Sequence, residues 1–93
     1  MENNAGGIPS KEQVIEEVID IFVRVIGFID RGKVSRTTNV AKDFYIYTDD
    51  LSIFADEVVK HFDINSPPEE WSNVGQTIEG IADFVLQHLS KKQ

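Results

Sequence analysis

The stretch Asp43-Phe-Tyr-Ile-Tyr-Thr-Asp-Asp-Leu-Ser-Ile-Phe-Ala-Asp-Glu-Val-Val-Lys-His-Phe-Asp-Ile64 decides the fold class. Within it Leu51, Phe54, Ala55, Val58 and Phe62 recur at the spacing that lines one face of an α-helix. Thr48 reads as the N-cap of this helix. Asp49 and Asp50 follow in the first turn, where carboxylates suit the positive end of the helix dipole. Turning the apolar set inward at about 100° per residue points Ile53 outward. Around it fall Asp49, Ser52, Asp56, Glu57 and Lys60. Asp63-Ile-Asn65 ends the helix.

Upstream, Ser10-Lys-Glu-Gln13 has the form of a capping box, hydroxyl and amide satisfying backbone N–H groups reciprocally. Val14, Val18, Ile21, Phe22, Val25 and Phe28-Ile29 then recur at helical spacing, and Ile15, Ile19 and Ile26 widen the stripe. The pattern predicts a first helix to about Ile29, the largest contributor to the core, followed by turn chemistry in Asp30-Arg-Gly-Lys33. Residues 31–47 have no clean period. A loop of this length in a compact domain is functional or packed down by its own side chains, here Val40, Phe44 and Ile46. Their alternation with Tyr45 and Tyr47 makes a short strand the rival reading. Downstream, Ser66-Pro-Pro-Glu69 predicts a short third helix carrying Trp71, with Pro at its first position. Asn73 to Gln76 form a turn. Thr77 caps a last helix in which Ile78, Ile81, Ala82, Val85 and Leu89 share a face, and Lys91-Lys92 suits its C-terminus. The fold class expected is all-α, a bundle of three long helices and one short one, with a long first connection.

With 93 residues there is room for one domain, here residues 10–93 behind a polar, Gly-rich tail over residues 1–9. The net charge of −7 opposes nucleic-acid phosphates and anionic lipid and favours a partner with a basic surface. With no cysteine there is no disulfide scaffold, thiol nucleophile or thiolate metal site. The first residues lack the basic and apolar regions of a secretory signal, and no window is apolar enough to span a membrane, so a cytoplasmic monomer is expected.

From residue 39 to 86 the sequence resembles the acyl carrier protein family. The segment Asp43 to Thr48, leading into a helix that ends His61-Phe-Asp-Ile64, is similar to the family's Asp-Leu-Gly-x-Asp-Ser-Leu stretch and its Glu-Phe-Asp-Ile helix end. Pro67-Pro-Glu-Glu-Trp71 and Thr77-Ile-Glu-Gly-Ile-Ala-Asp-Phe-Val85 follow in the family's order. The Asp49-Asp50 pair also looks like that of a group of uncharacterised enterobacterial acyl-carrier-like proteins. The resemblance implies a four-helix bundle. In the family, phosphopantetheine is attached to the Ser of Asp-Ser-Leu. Ungapped registers from Phe62 and from Asp43 both put Thr48 there, with Tyr47 for the Asp and Asp49 for the Leu. A secondary hydroxyl is bulkier and stiffer than a primary one, and Ser52, the nearest Ser, lies inside the helix.

These readings lead to a non-catalytic protein–protein interaction module without a cofactor, docking a basic partner through Asp49, Asp50, Ile53, Asp56 and Glu57. One alternative is a genuine acyl carrier with phosphopantetheine on Thr48 or, less favourably, Ser52. Another is an acidic inhibitor or immunity protein. No carboxylate sits in an apolar context with a matching base, so no residue is assigned to catalysis. His61 and His88 lack metal-ligand spacing and read as solvated or capping residues.

Overall fold

The computed structural model describes residues 8–65 and 76–92, and all of its regular structure is helical. Three α-helices are described, α1 (Lys11–Ile26), α2 (Thr48–Phe62) and α3 (Ile78–Lys92), with one 3-10 turn at Arg31–Lys33. The short helix expected around Trp71 and most of the turn after it lie outside the described residues, as does the tail up to residue 7. Among the described residues, no helix is long and apolar enough to cross a membrane.

Helix α1 is central, and α2 and α3 both pack against it. Its wide stripe allows this: Val14, Ile15, Val18, Ile19, Ile21 and Phe22 are all buried, more than a half-exposed helix would hide. Phe22 meets Phe54 of α2 edge to face at 5.2 Å and Phe44 of the connection at 6.1 Å, so one ring joins three segments. Ile78, Ile81, Ala82 and Val85 form the buried face of α3; Leu89 is only half-buried. Glu17 pairs with His61, and Arg24 with Glu57, so α2 runs antiparallel to α1.

Helix α1 ends three residues before the expected point. Gly27 takes a left-handed conformation (φ 90°) that residues with a Cβ disfavour, and its N–H donates to the Val23 carbonyl. The chain turns there, leaving Phe28 exposed and Ile29 folded back into the core. The Ser10 cap is present, its hydroxyl accepting from the Gln13 N–H at 3.1 Å. The reciprocal bond is not made among the described residues; the Gln13 side chain extends along the helix, its Nε2 donating to Glu17.

The long connection is ordered by short polar motifs rather than a strand. Asn39 Oδ1 accepts from the N–H groups of Ala41 and Lys42, and Asp43 accepts from the Asn39 N–H, a reciprocal cap on a single helical turn. That turn closes at Tyr45 (φ 56°) with the Ile46 N–H donating to the Ala41 carbonyl. Val40 and Ile46 are buried beneath it. The connection also caps α3. The N–H of Ile78 donates to Thr38 (3.0 Å), that of Glu79 to Arg36 (2.9 Å), and that of Gly80 to the Thr77 hydroxyl (3.0 Å). The first three N–H groups of α3 are thereby satisfied. The strand of the rival reading, where Phe44 and Ile46 alternate with Tyr45 and Tyr47, is absent: those residues form the turn and the lead into α2, and the connection's one bridge among the described residues pairs Asn39 with Thr77.

Candidate functional site

Helix α2 carries the expected site. Its inward face is Phe54, Val58 and Phe62, with Leu51 and Ala55 half-buried, and Ile53 stands outward at 53% exposure. Asp49, Ser52, Asp56 and Lys60 are exposed with it, at the spacing that makes one outward stripe. Asp50 is half-buried at the start of the helix.

Two expected residues behave differently. Glu57 leans towards α1, half-buried, with Arg24 at 3.8 Å, so it belongs to the α1–α2 seam rather than to a rim around Ile53. Thr48 is not the N-cap. Tyr47 holds that position and makes no side-chain capping bond, and Thr48 is the first helical residue, exposed to solvent. Its hydroxyl therefore does not satisfy the first turn, whereas the Thr77 hydroxyl does so for α3. At its other end α2 closes on Asp63, left-handed at φ 52°, whose N–H donates to Lys60 while that of Ile64 donates to Val59.

Electrostatics set α2 apart from its neighbours. All four carboxylates of α1 are engaged: Glu12 by Arg36, Glu16 and Asp20 by Arg31, and Glu17 by His61 at 2.6 Å. In α3, Lys11 bridges Glu79 (3.0 Å) and Asp83 (3.2 Å). The hydrogen bond from Lys11 holds the Glu79 carboxyl below its ordinary value, and bonds to Glu79 and Asp83 raise Lys11. Arg36 is raised by its bond to Glu12. On the α2 stripe, Asp56 pairs among the described residues with Lys60 one turn on (3.4 Å), an exposed pair of small worth. Asp49 and Asp50 take part in no ion pair among the described residues.

The pattern at Ile53 was readable from periodicity alone. The aromatics just ahead of it carry no helical period to mark them as exposed: Tyr45 is 88% exposed and Tyr47 80% exposed. His61 is a partner of Glu17 and not simply solvated, and His88 stacks edge to face on Phe84. No group of three or more His, Asp or Glu gathers as a metal site among the described residues. No protein-family model matches the chain, and no curated protein matches it.

Proposed function

We propose that this chain is a non-catalytic interaction module on an acyl-carrier-like four-helix scaffold, docking a protein partner with a basic surface through α2. The observation that carries the reading is the α2 stripe. An aliphatic side chain stands exposed among carboxylates, and the two acids at its head are not neutralised, in a chain that pairs its other helical acids with care. A desolvated apolar anchor within a charged rim is how interfaces concentrate binding energy, while the rim sets the rate and specificity of encounter. Affinity capture with the wild-type chain and with Ile53→Ser, compared at low and high salt, tests it. A basic protein held by the wild type, released by salt and lost by the variant is the expected result. The same proteins retained by both chains would refute it.

A second reading is favoured by one observation. The Thr48 hydroxyl is exposed at the first turn of α2 and is not used as a cap, so it is chemically available at the position where carriers of this pattern bear phosphopantetheine. That group would supply a thiol for thioester formation. Intact mass after co-expression with a broad phosphopantetheinyl transferase decides: a gain of one phosphopantetheine, lost in Thr48→Ala, makes the chain a carrier.

A further inference from the structure

The start of α2 carries two tyrosines that the fold itself has no use for. Tyr45 closes its turn at φ 56°, a conformation that favours glycine or asparagine and disfavours a bulky side chain, and its ring is almost wholly in solvent. Tyr47 occupies an N-cap, where Ser, Thr, Asp or Asn would stabilise the helix, and it too is exposed. Neither ring is buried in the core, so both residues reduce stability locally without an internal return. They are the two most exposed large apolar side chains among the described residues. Asp49 and Asp50, free of ion pairs among the described residues, follow within three residues of Tyr47, and Ile53 stands one helical turn beyond Asp50.

Two exposed rings followed closely in the chain by an exposed and a half-buried carboxylate, neither ion-paired among the described residues, suit one cation better than the other. A guanidinium is planar and weakly hydrated; it stacks on a ring and forks to a carboxylate at the same time. An ammonium is a strongly hydrated point charge and gains less from the ring. We infer that Tyr45, Tyr47, Asp49 and Asp50 form a recognition patch for arginine side chains of the basic protein partner, with Ile53 receiving an apolar side chain beside them. This rests on the docking reading above and adds to it the identity of the cation and the residues ahead of the helix.

The probes are two synthetic peptides of equal length and charge, one alternating Leu with Arg and the other Leu with Lys. Each is titrated at low salt into the full ¹⁵N-labelled chain. Both should shift the amides of residues 45–53, and the Arg peptide should bind about fivefold more tightly, the order expected of one or two exposed cation–π contacts. The double variant Tyr45→Ala/Tyr47→Ala should remove the stacking share of that preference and bring the two affinities to within about twofold. Tyr45→Leu/Tyr47→Leu, which keeps apolar bulk without a π face, should do the same and serves if the alanine variant loses its native spectrum. Equal affinity of the two peptides for the wild type, with shifts still at 45–53, would overturn the arginine assignment and leave docking on α2 intact. An Arg preference undiminished by loss of both rings would overturn it as well. Absence of shifts along α2 with either peptide would overturn the docking reading, and this inference with it.

Discussion

Two threonines stand near the starts of α2 and α3, and only one of them caps. The Thr77 hydroxyl accepts from the Gly80 N–H at 3.0 Å, the last of three first-turn donors of α3 to find an acceptor. Its removal in Thr77→Ala leaves a partly buried N–H unmet, and a lost N-cap costs about 1 kcal/mol, with an upper bound of about 2. For a domain of this size that lowers Tm by roughly 4–8 °C per kcal/mol. Thr48 is already inside α2, exposed and without a capping bond, so Thr48→Ala loses no hydrogen bond and exchanges a β-branched residue for the best helix former. It is expected to lie between neutrality and about 0.5 kcal/mol of stabilisation. Thermal melts by circular dichroism and urea titrations of both variants, with Thr77→Ser as the control that keeps the oxygen, read the difference. A loss at Thr48 equal to or larger than that at Thr77 would refute the placement of the α2 N-terminus at Tyr47. It would also withdraw the Thr48 hydroxyl from the chemistry considered for it, since a capping oxygen is already engaged.

Ile53→Ser should stay within about 0.5–1 kcal/mol of wild type in urea, because half of the residue is in solvent; a drop of several kcal/mol would show that it packs inward. Phe22→Ala should cost about 3–5 kcal/mol, since its fully buried ring meets both Phe54 and Phe44; a loss under 1 kcal/mol in the same titration would contradict that packing. Glu79, held below its ordinary value by Lys11, contributes stability that is present above the unfolded-state value of 4.5 and is lost as pH falls through the lower folded one. Acid melts of Glu79→Gln should therefore decline less steeply below that pH than those of the wild type, and added salt should shrink the difference because the pair is exposed. Tyr45→Gly should be neutral or stabilising by up to about 1 kcal/mol, relief of the left-handed backbone outweighing the freer unfolded chain; a marked loss of stability would mean that the ring supports the fold after all.

Much of α2 was legible because periodicity reports which residues share a face. Leu51, Phe54, Val58 and Phe62 needed only their spacing to be set inward, and Ile53 followed outward by the same rotation. The cap was not legible. A hydroxyl one residue into a helix and a hydroxyl at its cap look alike in sequence, and the difference lies in the backbone of Tyr47. Glu57 was misplaced for a related reason: it borders the inward face, and Arg24 on another helix decides which way it leans. In the connection, the Asn39 and Asp43 pair was a readable local signal that hydrophobic spacing passed over. Its attachment to α3 was not readable, because backbone carbonyls at Arg36 and Thr38 carry no mark of the partner they will meet.

That attachment bears on how the chain reaches its native state. The carbonyls of residues 36 and 38 accept from donors about forty residues further on, so these two bonds of the connection cannot form until the start of α3 is present. A closure of that span is entropically costly before any contact rewards it. During synthesis α1 and α2 emerge first, with a wide apolar stripe on α1 still awaiting its second neighbour. Burial of Ile78, Ile81 and Val85 is then expected to complete the core and fasten the connection together. Pulse-labelled hydrogen exchange during refolding should show the amides of Val40, Ile78 and Glu79 gaining protection together.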